Sequence, residues 1–186
     1  MRLDTPLCDF GWKAPDFTLP DLDGAPVSVA RSFGAGGLLV AFICNHCPYV
    51  KAVIARLVAD AKALAEVGVP AVAVMPNDFH AYPDDRPEMM RAFAAEHGFS
   101  FPYLLDETQE MARAYGAVCT PDFFGFNAAG ELQYRGRLDD IGMKDGANES
   151  SARNAELLDA MRAVAAGEKG PAEQSASMGC SIKWKK

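Results

Sequence analysis

Leu38-Leu39-Val40-Ala41-Phe42-Ile43 runs without a polar residue into Cys44-Asn45-His46-Cys47-Pro48, and from Val50 onward the apolar pattern changes period. Six apolar residues in a row, after a turn containing Gly34, Gly36 and Gly37, mark a strand covered on both faces, as in a parallel sheet. Val50, Val53, Ile54, Leu57, Val58, Ala61 and Leu64 then recur at three and four residues up to Gly68, which predicts an amphipathic helix closed by glycine. A second apolar run, Val69 to Met75, follows directly. Strand, helix and strand in so short a span make a right-handed βαβ unit.

Further along, Pro87 to His97 reads as a helix stopped by Gly98, and Phe101 to Leu105 as a short strand. Asp106 with Gln109 fits a capping box opening a short helix that ends at Gly116. Asp122 to Asn127 and Glu131 to Leu138, joined by a turn ending in Gly130, predict an antiparallel hairpin. Leu157, Leu158, Met161, Val164 and Ala165 give one apolar face to a last helix before Gly167. This order predicts an α/β chain with a mixed central sheet and helices on both faces, the layout of a thioredoxin-like fold, which the pattern shares with other mixed α/β domains. The pattern suggests one domain over 1–186, with an ordered body at about 15–166, a linker-like N-terminal extension and a C-terminal tail. Ile182 and Trp184 alternate with polar neighbours like one face of a strand, so the tail is expected to dock on the domain or on a second subunit.

The 186 residues carry 18 Lys and Arg against 25 Asp and Glu, a net charge of −7. No broad positive field exists to collect nucleic acid or anionic lipid. The first twenty residues hold acids and prolines where a secretory signal would be apolar, and Leu38 to Ile43 is too short to cross a bilayer. A soluble, cytoplasmic protein without membrane or nucleic-acid partners is expected. Five cysteines are too few and too odd in number for a disulfide scaffold, which points to thiol chemistry.

Cys44 and Cys47 stand where the first strand meets the following helix, three residues apart, a spacing that lets one dithiol open and close with little backbone movement. Pro48 requires the helix to be capped at Asn45 or later. Cys44 then sits just outside the helix N-terminus, where unpaired N–H groups and a nearby His46 imidazolium favour thiolate. On that reading Cys44 attacks and Cys47, one turn in, resolves the mixed disulfide. A zinc site competes, with Cys44, His46 and Cys47 as donors, but a structural site usually draws on two paired clusters and only one is present. Neither metal nor cofactor is therefore expected.

Taken together, the sequence resembles the thioredoxin-like redoxins of the alkyl hydroperoxide reductase and thiol-specific antioxidant superfamily, in particular a peroxiredoxin-like branch. The resemblance rests on Ala14-Pro15-Asp16-Phe17-Thr18-Leu19, on Cys44-Asn45-His46-Cys47-Pro48-Tyr49-Val50-Lys51, on Asp106-Glu107-Thr108-Gln109, on Cys119-Thr120-Pro121-Asp122-Phe123-Phe124 and on Gly179-Cys180-Ser181-Ile182-Lys183-Trp184. It implies that Pro121 is a cis-proline whose loop faces the cysteines, making Cys119, Thr120 and Pro121 site neighbours along with Asn45, His46 and Pro48. A cis Thr120-Pro121 bond would leave a backbone edge to which an extended substrate can pair.

Peroxiredoxins carry a proline and a Thr or Ser seven and three residues before the peroxidatic cysteine. Those positions are Gly37 and Ala41 counted from Cys44, and Val40 and Cys44 counted from Cys47. Arg135 and Arg137 read as surface charges of the hairpin. The balance favours an enzyme of thiol-disulfide exchange in redox homeostasis over a hydroperoxide-reducing peroxidase, with a redox-inactive or metal-handling module as a third reading. Substrates would be protein or small-molecule disulfides and thiols, served by a reducing system, and a homodimer is conceivable. Cys180 is a possible additional redox cysteine, and Cys119 either accepts a disulfide or packs. No acid lies in the strand before the motif to take a proton from Cys47.

Overall fold

A computed structural model describes residues 1–143 and 152–186. In chain order the elements are β1 (Arg2–Asp4), β2 (Thr18–Pro20), β3 (Pro26–Ser28), β4 (Leu38–Phe42), α1 (Pro48–Glu66), β5 (Ala71–Met75), α2 (Pro87–Glu96), β6 (Tyr103–Leu105), α3 (Glu110–Ala114), β7 (Cys119–Thr120), β8 (Asp122–Phe126), β9 (Leu132–Tyr134), α4 (Glu156–Ala165) and β10 (Met178–Ser181). The central sheet has the order β6-β5-β4-β8-β9. β4, β5 and β6 are parallel, whereas β8 and β9 run antiparallel, so the sheet is mixed.

Every residue of β4 and β5 is buried because both faces of the sheet are covered. Alternate residues divide between two cores. Leu39, Ala41 and Ile43 pack with Val50, Ile54 and Leu57 of α1, Phe93 of α2 and Met161 of α4. Leu38, Val40 and Phe42 pack on the other face with Met111 of α3 and with Tyr115, Phe124 and Phe126, against which Trp12 is laid. Helices on both faces of this strand order make a thioredoxin-like fold. α1 ends at Val67, where Gly68 takes φ +78°, a conformation closed to most side chains.

Two local expectations fail. Residues 1–14 are not a free extension: β1 pairs with β10, with Arg2 opposite Cys180, and β10 pairs with β7, so both ends of the chain form a second, three-stranded antiparallel sheet. The capping box at Asp106 does not form either. Asp106 accepts the Ala112 N–H at 2.8 Å, while Gln109, at φ +64°, turns its side chain away from the helix. Its amide donates to the Pro76 and Lys183 carbonyls at 2.6 and 2.8 Å and its oxygen accepts the Lys185 N–H at 2.7 Å. A polar side chain that the local pattern assigns to a helix cap instead anchors the tail.

Candidate active site

The end of β4, the start of α1 and the β7–β8 corner meet at one point. The Thr120-Pro121 bond is cis, as the resemblance implies. Thr120 faces both cysteines: its hydroxyl lies 3.2 Å from Cys44 Sγ, and its carbonyl accepts from Cys47 Sγ at 3.1 Å. Neither Cys44 nor Cys47 has any exposed surface. Cys44, Asn45, His46, Cys47, Thr120 and Pro121 are thus brought together, with Pro48 as the first residue of α1.

Cys119 is near in sequence but turned away, because neighbouring strand residues face opposite sides. It is buried, its sulfur lies 3.6 Å from the Pro121 carbonyl, and burial pushes its thiol well up. Cys180, by contrast, stands directly opposite Thr120 in the β7–β10 pairing and touches Cys47. Cys8 lies apart, its thiol pushed up to about 11 by burial.

The helix register alters the electrostatic expectation. α1 begins at Pro48 with Cys47 as its N-cap residue, so Cys47 lies at the mouth of the helix rather than one turn in. The positive helix end therefore acts on Cys47. A hydrogen bond from Cys44 holds the Cys47 thiol well below its ordinary range, with further help from the Cys180 side chain and the Val50 and Cys180 amides, against the opposing effect of burial. Cys44 is pushed up by its hydrogen bond to Cys47, by burial and by the charge of Asp85. The Thr120 carbonyl beside Cys47 works against this division, but one acceptor is outweighed by several donors and the helix end. Within the pair, the pKa of Cys47 is thus lowered and that of Cys44 raised.

Asp85 is the residue at this site that the sequence reading missed. Fully buried in the connection between β5 and α2, it accepts from the Asn45 N–H at 2.8 Å and Asn77 Nδ2 at 2.8 Å, and pairs with His46 Nδ1 at 2.7 Å. His46 stacks on Tyr82, with ring centroids 5.7 Å apart and planes 11° from parallel. The hydrogen bond to Asp85 raises the His46 pKa against the effect of burial. Burial pushes Asp85 up, but the bonds from His46 and Asn77 outweigh it and hold the carboxyl below its usual range. Asn45 is fixed by Tyr103 Oη, which donates to its side-chain oxygen at 3.0 Å. In sequence, Asp85 is one of two adjacent acids in a polar connection, and nothing distinguishes it from Asp84.

Cys44, His46 and Asp85 each offer a donor atom within 4.8 Å of the others, the one such group of three among the described residues. These donors are already engaged: a cation here would have to break the His46–Asp85 bond and compete with two N–H donors on the same carboxylate. The arrangement suits an ion pair beside a thiol better than a metal centre.

One of the two hairpin arginines departs from expectation. Arg135 is buried, bonds Asp122 Oδ2 at 3.0 Å and the Gly116 carbonyl at 2.7 Å, and lies over the Phe124 ring. It is an internal ion-pair partner and not a surface charge. Burial pushes the Asp122 carboxyl up to about 6, with Arg135 opposing. Arg137 pairs with Glu156. Both guanidinium groups are engaged by carboxylates.

The AhpC/TSA family model matches residues 10–135. A Mycobacterium tuberculosis protein carrying a provisional peroxiredoxin name is 27% identical over 132 residues, covering 71% of this chain and 79% of its own. The thiol-disulfide oxidoreductase ResA of Halalkalibacterium halodurans is also 27% identical, over 130 residues and 69% of each chain. An uncharacterised conserved protein of Geobacillus kaustophilus superimposes with a TM-score of 0.92 at 40% identity, over 100% of this chain and 97% of the other. With a matched model that spans every element from β2 to β9, around a strand-to-helix dithiol, the chain belongs to the AhpC/TSA family.

Proposed function

We propose that this redoxin is a thiol-disulfide oxidoreductase whose working unit is the Cys44–Cys47 dithiol. The observation that carries the reading is the pair of contacts from both sulfurs to one residue, Thr120, at 3.2 and 3.1 Å, which holds the two thiols side by side next to the cis-proline. A thiolate at Cys47 meets the first requirement of disulfide exchange. Closing the Cys44–Cys47 disulfide then requires Cys44 to lose its proton, and the His46–Asp85 pair is the titratable group beside it. His46 borders an open pocket of about 430 Å³ with Lys51, Met89 and Phe93, so protons can pass between this pair and solvent.

This division of charge reverses the roles read from the sequence, with Cys47 as the resting nucleophile and Cys44 as its partner. Trapping experiments decide it: with Cys180 also replaced by serine, Cys44→Ser should accumulate mixed disulfides on Cys47, and accumulation on Cys44 in Cys47→Ser alone would restore the order read from the sequence. The peroxidase reading has one observation in its favour, the Thr120 hydroxyl beside Cys44, but both hairpin arginines are committed elsewhere. The reduced protein should therefore react faster with a chromogenic reporter disulfide than with hydrogen peroxide, and both reactions should fall in Cys44→Ser and Cys47→Ser. A peroxide rate exceeding the disulfide rate would reverse this conclusion, and unchanged thiol counts after mild oxidation would end it.

A further inference from the structure

The two reactive sulfurs are sealed, and the chain itself supplies the seal. Backbone groups beside a cis-proline offer an edge to which an extended substrate can add, as the sequence suggests. Here that edge is taken. β10 lies against β7 with Cys180 opposite Thr120 and Ser181 opposite Cys119, and the far edge of β10 is closed by β1. Beyond the strand, Lys183 N donates to Asn77 Oδ1 at 2.9 Å, Gln109 grips the backbone at Lys183 and Lys185, and Arg113 lies over the Trp184 ring. This is a docked segment, held along its length.

Alternation along the paired strands gives Thr120 and Cys180 a common face. Thr120 uses that face to hold Cys44 and Cys47, and Cys180 uses it to touch Cys47. Cys119 points the other way. Cys180 packs against the core that contains Cys44 and Cys47, yet it retains partial exposure where they have none. Of the three neighbouring thiols it alone meets both the dithiol and the solvent.

We propose that Cys180 is a third redox thiol, through which the buried Cys44–Cys47 pair exchanges its disulfide with thiols outside the protein. The inference rests on the dithiol reading above. Starting from the oxidised pair, the Cys180 sulfur attacks Cys47 Sγ. The Cys47–Cys180 bond forms, the Cys44–Cys47 bond breaks, and the proton lost by Cys180 ends on Cys44. An external thiol then attacks the exposed sulfur of Cys180, releasing Cys47 as a thiolate, and a second external thiol frees Cys180, leaving the external pair as a disulfide. Two thiols are oxidised outside for the one disulfide reduced inside, and the reverse sequence carries oxidation inward.

The Cys180 thiol is pushed up to about 11, by burial and then by its bond to the Cys47 sulfur, which keeps it protonated while the pair is reduced. The contribution from Cys47 disappears once that sulfur is held in a disulfide and carries no charge. Cys180 therefore becomes easier to ionise in the oxidised state, where the relay needs it to attack.

The test uses the full chain in three forms and, as a control, a chain lacking residues 177–186. Mild oxidation of Cys44→Ser should give a Cys47–Cys180 disulfide on peptide mapping. Oxidised wild type and Cys180→Ser are then mixed with dithiothreitol, and re-reduction is followed by mass-tagging of free thiols. Cys180→Ser keeps the strand in place, which amide exchange over Gly179 to Ile182 verifies, and should be re-reduced about ten-fold or more slowly, as expected when an intramolecular exchange is lost. Equal rates, with the Cys44–Cys47 disulfide present in both proteins, would overturn the relay and leave the dithiol reading standing. A wild type that forms no disulfide between these residues would overturn both. If removing residues 177–186 speeds re-reduction while Cys180→Ser has no effect, the tail is a cover only and the relay is wrong.

Discussion

Asp85 and His46 make the most pH-sensitive contact of the site. Asp85 lies below its ordinary value of 3.8 and His46 above its ordinary 6.5. The raised His46 contributes stability in full below about 6.5 and loses it as the pH climbs through the native value; the lowered Asp85 contributes in full above about 3.8 and loses it as the pH falls through its native value. The pair thus supports the fold best between those limits. Asp85→Asn should return the His46 titration toward 6.5 by NMR and flatten the alkaline side of the stability profile. An unmoved His46 titration would show that the carboxylate does not set it. The cysteines permit a second measurement: the ultraviolet absorbance of thiolate should show a group titrating well below the ordinary thiol range, lost in Cys47→Ser and moved upward in Cys44→Ala, which removes the Cys44 donor. The sequence could announce a dithiol at a strand-to-helix junction. It could not announce which sulfur the helix end favours, because that depends on where α1 starts, and Pro48 allows more than one cap.

The elements that build the central sheet were legible because each carries its own period: a continuous apolar run for β4 and β5, and spacings of three and four for α1. Even the docking of the tail showed, in the alternation around Ile182. What did not show is where the tail docks, since a four-residue strand with one polar anchor holds no local record of its partner. That partner is tested by Gly179, where an added Cβ would collide with the Thr120 carbonyl. Gly179→Ala should lift β10 from β7 and speed alkylation of Cys44 and Cys47 by iodoacetamide, with unchanged alkylation counting against the seal. Gln109→Ala removes three hydrogen bonds to the Pro76, Lys183 and Lys185 backbone. It should cost about 1–3 kcal/mol in denaturant unfolding and raise amide exchange in β10 before the central strands respond.

Across the whole molecule, α1 joins the site to a buried charge cluster built around its middle turns. Arg56 bonds Asp139 at 2.6 Å and the Gly142 carbonyl at 2.8 Å, and Arg153 bridges Asp139 and Asp60. Both carboxylates are buried, so a lost partner leaves a charge away from solvent. Arg56→Ala should therefore destabilise by about 3–5 kcal/mol, lowering Tm by about 6–20 °C. A loss no larger than that of an exposed arginine such as Arg91 would show the cluster to be slack. This network escaped the sequence reading because its members are scattered from residue 56 to residue 153 and resemble solvated charges wherever they occur.

The three-stranded sheet also has a meaning in time. Its middle strand, β10, leaves the ribosome 58 residues after Thr120, the residue it covers (178 − 120). At about 5–20 residues per second, translation leaves an interval of roughly 3–12 s in which β4, α1 and β7 already exist and the strand that seals them does not. During biosynthesis the dithiol is open to every small oxidant and thiol around the nascent chain, and it becomes selective only when the tail arrives.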